Sequence, residues 1–88
     1  MSVYVDNMNA KVGRMIMCHM MADTTEELLT MADKIGVKRK WIQHAGTPKE
    51  HFDVAKVSKV KAIKAGAIEI TMKEMGKFYI NRRKTWDS

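Results

Sequence analysis

The sequence predicts an α/β fold: a small single domain with a mostly parallel four-stranded sheet and three helices, in the order β-β-α-β-α-β-α. Three observations lead to this prediction. Residues 15–21 form an apolar run with one polar exception, as expected for a strand covered on both faces. An amphipathic helix with capping signals follows that run directly. Beyond it, helical and strand patterns alternate as two consecutive strand-helix-strand units, which usually build parallel sheets with right-handed crossovers.

The two N-terminal strands differ in character. Residues 3–5 are a short β-prone segment, which Asp6 ends in a loop. Gly13 then permits a bend into the second strand, in which His19 is the polar exception. Strand alternation places Cys18 and His19 on opposite faces, so we expect the cysteine to be buried and inert rather than paired with the histidine as a nucleophile.

Capping signals define the first helix. Thr24 with Glu27 forms a capping box, and Asp23 with Glu26 is an equally spaced alternative. Gly36 closes the helix. Between these limits, apolar residues recur at helical spacing, namely Leu28, Met31, Ala32 and Ile35.

The middle of the chain is predicted as strand, loop and helix. Residues 37–43 form a third strand, and residues 44–50, with the only proline, form a loop. A short helix that ends at Gly66 follows. We predict that its buried side consists of Val57, Val60 and Ile63, and that its other side carries Lys56, Lys59, Lys61 and Lys64.

The C-terminal part is predicted as a fourth strand and a third helix. Residues 67–70 alternate as a strand, and Thr71 with Glu74 repeats the capping-box pattern. A basic C-terminal helix and tail then extend from about residue 72 to Ser88. The end of this tail is expected to fray or to dock on a partner.

Composition limits the classes of function. The chain has 16 Lys and Arg against 10 Asp and Glu, a formal net charge of +6 that favours anionic partners. Its single cysteine excludes an internal disulfide framework and fits a reducing cytosol. The longest apolar run, residues 15–22, is too short to span a bilayer, and no targeting segment is evident. We expect a cytoplasmic protein without a membrane partner, and its small size with nine methionines favours a homo-oligomer.

Candidate binding residues follow the predicted strands. In a parallel sheet the carboxyl ends of the strands meet at one edge, where ligands commonly bind. Asp6, Asp23 and Gln43 come at or after three strand ends, and His51 and Asp53 lie on the neighbouring loop. With His44 and Thr71, which also follow predicted strand ends, carboxylates, two or three histidines and an amide are therefore expected at one edge.

Two further residues suit this edge to a nucleotide. Arg14 offers a bidentate fork for a phosphate, and Trp41 offers a flat face for a base, although core packing explains Trp41 equally well. The helix start at Thr24 adds backbone amides. The chain lacks the glycine-rich loop of a cofactor-dependent or triphosphate-using enzyme, so binding of an anionic nucleotide-like ligand without catalysis and without a cofactor is the leading prediction.

A metal site has weaker support. His51 and Asp53 place two ligand types at alternate positions, and His19 or Asp23 would add a third. The spacing matches no common zinc pattern, and His19 is equally explained as a core histidine that donates to a carbonyl. No metal is therefore expected.

Catalysis and macromolecular binding are also compatible with the sequence. His51 with Asp23 or Asp53 would act as acid and base in a phosphodiesterase or nuclease, with or without a metal. An inhibitor that docks on a host protein through the basic tail is a further class. Nucleic acid is a possible partner of three basic groups, namely residues 38–40, the lysines at 56, 59, 61 and 64, and residues 82–84. The lysines also fit an ordinary solvated helix face.

A set of short segments forms a specific pattern: Val3-Tyr4-Val5-Asp6, Gly13-Arg14, Met17-Cys18-His19, Ala22-Asp23, Glu27-Leu28, Ile35-Gly36, Arg39-x-Trp41, Gln43, His51-Phe52-Asp53 and Lys64-Ala65-Gly66-Ala67. With this pattern, from about Val3 to Thr71, the chain resembles family 4031 of domains of unknown function, which consists of small bacterial and phage proteins. The family often has tyrosine at the position of Phe52, and the loop from Gln43 to Glu50 and the basic tail after Met75 look particular to this chain.

The resemblance implies one shared site rather than an activity. The residues that it brings together are Asp6, Arg14, His19, Asp23, Trp41, His51 and Asp53, and its pattern adds Arg39 and Gln43 as ligand-binding candidates. By analogy, a phage setting suggests a sponge that sequesters a cyclic-nucleotide or ADP-ribose-derived immune signal in the bacterial cytosol.

Overall fold

A computed structural model describes residues 2–86 of the chain, so residue 1 and the last two residues of the predicted tail lie outside the described part. The described residues form a small α/β domain with a mixed five-stranded sheet. The strands are β1 (Val3–Val5), β2 (Ala10–Val12), β3 (Met15–Ala22), β4 (Phe52–Ala55) and β5 (Ile68–Glu69). The helices are α1 (Thr25–Ile35), α2 (Lys56–Lys64) and α3 (Met72–Thr85).

The long strand β3 is the centre of the sheet. Along one edge it pairs antiparallel with both β1 and β2, and along its other edge it pairs antiparallel with β4. Only β5 pairs in parallel, with β1, among the described strands. The prediction of a four-stranded, mostly parallel sheet is therefore wrong. Instead of parallel neighbours connected by helical crossovers, most strands are antiparallel partners of β3.

Strand β2 was missed because the chain between β1 and β3 is a hairpin with an interruption. Gly13, in the left-handed conformation, turns β2 into β3. Residues 6–9 lie opposite only two residues of β3, Cys18 and His19, so four residues of this arm of the hairpin are unpaired in the strand register. In the sequence, this arm therefore has the pattern of a loop and not of a strand. This interruption leaves the main chain of β3 open to a side chain.

The predicted third strand is also wrong. Residues 37–43 contain a turn of 3-10 helix, Arg39–Trp41, and only Gln43 forms a bridge, with His51. Arg39 instead binds Asp33 of α1 through two hydrogen bonds, 3.0 and 2.7 Å long. The strand next to β3 on the side away from β1 and β2 is β4. The sequence patterns place its residues only at the end of the preceding loop.

The helices and strands form three layers. The inner face of the sheet, which carries Val5, Cys18, Met20 and Phe52, packs against α1 and α2 in one apolar core. Alternation places Tyr4 on the opposite, outer face, where its ring meets that of Phe78 in α3. Cys18 is buried on the inner face, as expected.

The predicted helix caps are confirmed, except that the box of Thr24 with Glu27 is only half formed, because the Glu27 carboxylate accepts from the Thr24 hydroxyl. Thr24 accepts a hydrogen bond from the backbone of Glu27, and Gly36 ends α1 in the left-handed conformation. Thr71 and Glu74 form a reciprocal capping box at the start of α3. Because capping depends on residues within one helical turn, these predictions are correct even though the predicted strand pairing is wrong.

The predicted orientation of α2 is wrong. Val57, Val60 and Ile63 are exposed, whereas Lys59 and Ala62 are buried. Small Ala62 allows close approach to the core, and the Lys59 ammonium pairs with Glu69 at the end of its buried stem. The exposed side of α2 therefore carries Val57, Val60 and Ile63, which we call the apolar stripe.

A buried ion pair anchors α3 to the loop that precedes β4. Arg82 Nη2 lies 2.7 Å from Glu50 Oε2, and Arg82 Nη1 donates to the carbonyl of Pro48 at 3.3 Å. Glu50 is fully buried and also accepts from the Thr25 hydroxyl and from the Gly46 amide. As far as Arg82, the predicted basic helix and tail are therefore packed against the rest of the domain.

Among residues 2–86, no helix combines the length and the apolar character needed to cross a bilayer.

Candidate functional site

Four polar side chains meet on the outer face of the sheet. His19 of β3 lies directly opposite Asp53 of β4 in the strand register. His51 precedes Asp53 by two positions, so alternation gives it the same face. Asp6, just after β1, reaches His19 from the other edge of β3. The site therefore lies across three adjacent chain segments, on a face of the sheet and not at an edge.

Asp6 occupies the interruption of the first hairpin and binds His19 twice. Its Oδ1 accepts from the backbone N–H of His19 at 2.9 Å, and its Oδ2 lies 2.7 Å from His19 Nδ1. Met8 adds a backbone N–H at 3.2 Å. Burial, at 1% exposure, acts to raise the pKa of this carboxyl, but together the hydrogen bonds outweigh it and hold the pKa below the ordinary value. Asp6 is thus a buried, ionised carboxylate.

His19 gains basicity from this contact. Its hydrogen bond to Asp6 raises the pKa of the imidazole above the ordinary value, against the opposing effect of burial, and the negative charge of Asp6 and Asp53 acts in the same direction. Since a carboxylate accepts, Nδ1 of His19 carries the proton. This leaves Nε2 directed towards Asp53, 3.9 Å from Oδ1.

His51 is held in a corresponding way. Its Nδ1 lies 2.8 Å from the carbonyl oxygen of Lys49, and because a carbonyl only accepts, this nitrogen carries the proton. Nε2 is then directed towards Asp53, 3.5 Å from Oδ1. The ring also stacks on that of His44 and meets that of His19 edge-on. Each histidine therefore presents Nε2 to the same carboxylate.

Asp53 is itself oriented by a neighbour. Gln43 donates from Nε2 to Oδ2 at 2.6 Å, which leaves Oδ1 for the two histidines. We call His19, His51 and Asp53 the His-Asp cluster. One ligand atom from each of the three lies within 4.8 Å of those from the other two. The cluster is half-open, with 34% of the His19 side chain and 37% of the Asp53 side chain exposed.

A pocket of about 220 Å³ adjoins the cluster between the sheet and α3. Its polar end is formed by Asp6, His19, Lys49 and His51. Its remaining lining comes from β3 and α3, namely Met21, Met72, Met75, Gly76 and Tyr79. We call this cavity the α3 pocket. It combines a basic, hydrogen-bonding end with an apolar wall.

The structure brings together only some of the predicted site residues. Asp6, His19, Gln43, His51 and Asp53 form one connected group. Sequence patterns missed Lys49, the α3 methionines and Tyr79, because they gave no position for α3 relative to the site. The alternate spacing of His51 and Asp53 was the one signal that pointed to the correct face.

The remaining predicted site residues lie elsewhere. Arg14 is in the turn before β3 and Asp23 follows its far end, so the eight strand residues place them nine steps apart, about 31 Å at about 3.4 Å per residue. Asp23 accepts from the Ser2 amide at 2.7 Å and lines a different pocket, with Arg82. The expected convergence of Arg14 on this strand end is therefore wrong.

Arg39 and Trp41 are likewise outside the connected group. Arg39 pairs with Asp33 on the surface of α1. Trp41 is 59% exposed, and the ammonium of Lys38 lies 5.8 Å from the centre of its ring. Neither residue lines the α3 pocket.

Comparison with known proteins identifies a family. The family model described as "Protein of unknown function (DUF4031)" matches residues 3–82. The match therefore extends beyond the predicted limit at Thr71 and includes α3 as far as Arg82, so this helix is not a feature particular to the chain. No curated protein and no solved structure matches the chain.

Proposed function

The chain belongs to the DUF4031 family of proteins of unknown function, and since that family brings no activity, we propose a function from the site: non-catalytic binding of a small anionic, nucleotide-like ligand in the α3 pocket. The observation that carries the proposal is the pairing, in one cavity, of a histidine- and lysine-lined end with a wall of methionine and tyrosine. Such a cavity suits a molecule with an anionic group and a flat, weakly polar body.

Charge in the pocket favours an anion. Asp6 lines the cavity, but its two oxygens are engaged by His19 and by two backbone amides. Lys49 supplies positive charge at the same end, where the two imidazoles add hydrogen-bonding groups. The ligand's anionic group is therefore expected at this end, where charge-assisted hydrogen bonds are strongest.

Size limits the portion of the ligand that is enclosed. The cavity volume of about 220 Å³ is below the roughly 300–1,000 Å³ of sites for drug-sized molecules. One base or one sugar-phosphate is expected to be enclosed, with the remainder of a larger signal in solvent. A sponge for a cyclic-nucleotide or ADP-ribose-derived immune signal, acting in the cytosol of a phage-infected bacterium, fits this mode of partial enclosure.

Catalysis, nucleic-acid binding and docking on a host protein have less support. Of the two predicted acid–base pairs, His51 with Asp23 is disfavoured because Asp23 lines a different pocket, which leaves His51 with Asp53, 3.5 Å apart, as the basis of the catalytic alternative. A nucleic-acid surface is disfavoured because each basic group loses a member to an intramolecular ion pair: Arg39 to Asp33, Lys59 to Glu69 and Arg82 to Glu50. An inhibitor that docks through the basic tail would have to use a helix that is partly committed to internal packing.

Gly76 offers a test that leaves the polar end intact. It lies on α3, lines the pocket, and has open space where a Cβ would be. Gly76→Leu is expected to weaken nucleotide binding at least about tenfold by filling the cavity, whereas Gly76→Ala keeps binding and gains about 1 kcal/mol of helix stability. Isothermal titration calorimetry with a panel of cyclic nucleotides and ADP-ribose derivatives measures the affinity.

The same samples separate binding from turnover. After incubation and denaturation, a non-catalytic protein releases its nucleotide intact, whereas a changed product identifies an enzyme. Equal affinity in Gly76→Leu and Gly76→Ala would place the ligand outside the α3 pocket. Absence of binding across the panel would contradict the proposal as a whole.

The apolar stripe on α2 is our candidate surface for a homo-oligomer. Val57, Val60 and Ile63 are 68%, 46% and 38% exposed. Val60→Glu is expected to convert the protein to monomer by placing a charge in this contact, while the adjacent Lys61→Glu leaves assembly unchanged. Sedimentation velocity distinguishes the states. A wild-type protein that is monomeric at all concentrations, or an assembled Val60→Glu variant, would contradict self-association through this stripe.

A further inference from the structure

Two histidines and an aspartate converge without hydrogen-bonding one another. Nε2 of His19 and Nε2 of His51 lie 3.9 and 3.5 Å from the same Oδ1 of Asp53. Both distances exceed the roughly 2.7–3.2 Å of a nitrogen–oxygen hydrogen bond. The three ligand atoms thus surround a small space, and their mutual contacts alone do not explain their arrangement.

We propose that the His-Asp cluster binds a divalent transition-metal ion of the zinc type. Metal–ligand bonds of about 2.0–2.1 Å in tetrahedral geometry place ligand atoms about 3.4 Å apart. The observed separations, all within 4.8 Å, need only small side-chain rotations to reach this value. The half-exposed side chains of His19 and Asp53 have room for them.

Outer hydrogen bonds orient all three ligands, as is usual in metal sites. Asp6 holds Nδ1 of His19, the carbonyl of Lys49 holds Nδ1 of His51, and Gln43 holds the second oxygen of Asp53. In metal sites, partners of this kind fix the tautomer that leaves Nε2 available and increase the basicity of the ligand. Three independent outer contacts of the correct type argue against a chance grouping of surface residues.

Charge and ligand type indicate the class of metal. Asp6 and Asp53 bring two negative charges, which one dication balances. Two imidazoles favour zinc and its neighbours, whereas Mg²⁺ and Ca²⁺ prefer oxygen ligands. Three protein ligands leave at least one coordination position, and the α3 pocket, lined by both histidines, provides access to it. This metal site stands independently of the nucleotide proposal.

Calorimetry with zinc chloride alone tests the site. Chelator-treated wild-type protein is expected to bind one Zn²⁺ per chain, with no binding of Mg²⁺ under the same conditions. Asp53→Asn keeps the shape of the side chain and its contact with Gln43, and is expected to lower the Zn²⁺ affinity more than about 100-fold, because outer partners alone contribute about 10–100-fold. His19→Gln is expected to have a comparable effect.

A matched control uses the remaining histidine of the chain. His44 stacks on His51 but contributes no atom to the cluster, so His44→Ala is expected to bind Zn²⁺ within about threefold of the wild type. Circular dichroism verifies that each variant is folded. Wild-type affinity in a folded Asp53→Asn variant, loss of affinity in a folded His44→Ala variant, or no Zn²⁺ binding by the wild type would each overturn the proposal. Because no nucleotide is added, none of these results depends on the proposed ligand.

Discussion

Replacing Arg82 by methionine is expected to lower the free energy of unfolding by about 3–5 kcal/mol, the usual cost of removing one partner from a buried ion pair. Glu50 has no exposed surface, and Arg82 supplies its charged partner at 2.7 Å. Without the guanidinium, a carboxylate is left in the interior with only the Thr25 hydroxyl and the Gly46 amide. Urea denaturation followed by circular dichroism measures the change.

The size of the domain makes this effect decisive. At about 0.05–0.15 kcal/mol per residue, an 88-residue protein has a total stability of about 4–13 kcal/mol. Loss of the pair would therefore remove a large fraction of it. Arg83→Met, on the exposed side of the same helix, is the control, with an expected change of about 0.5 kcal/mol or less. Equal midpoints for the two variants would contradict a structural role of Arg82.

Asp6→Ala is expected to have the second-largest effect, a loss of about 3 kcal/mol, which is two hydrogen bonds to a charged group at the lower end of their usual range. The substitution leaves the amides of His19 and Met8 without their acceptor, and hydrogen bonds to charged groups contribute about 1.5–3 kcal/mol each. It also releases the imidazole of His19. The Zn²⁺ affinity is expected to fall about 10–100-fold, which separates this positioning role from a purely structural one.

The contribution of the Asp6–His19 pair depends on pH in a defined direction. The raised pKa of His19 gives stability that is fully present below the ordinary value of 6.5 and is lost as pH rises through the pKa of the folded state. The lowered pKa of Asp6 gives stability that is present above 3.8 and is lost as pH falls through its folded value. In metal-free protein, the pair therefore contributes most between 3.8 and 6.5.

Denaturation of wild type and Asp6→Ala at about pH 6 and about pH 9 measures this dependence. The difference in unfolding free energy between the two proteins is expected to be smaller at the higher pH. Asp33→Ala, which removes only an exposed ion pair with Arg39, is the control and should show no such dependence in this range. A difference that grows with pH would contradict the assigned pairing of Asp6 with His19.

The parts of the fold that follow from local chemistry were predictable. Thr24, Gly36 and the Thr71–Glu74 capping box mark helix ends through residues within a turn of each other, and all were identified from the sequence. The apolar run of β3 was identified for a similar reason. Each of these signals depends on the nearest few residues alone.

Strand pairing was not predictable because it depends on distant segments. β4 pairs with β3 across more than thirty residues of chain, and β2 is only three residues long. The orientation of α2 was predicted wrongly because its three branched apolar residues suggested the buried side and its lysines suggested the exposed side. In the structure, the side that packs on the core consists of Ala62 and the stem of Lys59. An apolar stripe indicates a helix, but it does not say which surface covers the stripe.

The candidate site was predictable in composition more than in location. Asp6, His19, Gln43, His51 and Asp53 were all named as site residues, yet a parallel sheet would have gathered them at an edge with Arg14 and Asp23. Antiparallel pairing of β3 with β4 instead places His19 opposite Asp53 on one face. This register explains why the cluster exists, since it aligns two histidines with one carboxylate.

Long-range proton–nitrogen NMR of the histidine side chains, recorded during a titration with Zn²⁺, observes the His-Asp cluster directly. With one equivalent of metal, Nε2 of His19 and Nε2 of His51 are expected to shift together as coordinated nitrogens, while Nδ1 of both rings stays protonated through Asp6 and the Lys49 carbonyl. His44 is expected to remain uncoordinated. Unchanged Nε2 signals for His19 and His51, or coordination through His44 in their place, would contradict the assignment of the His-Asp cluster as a metal site.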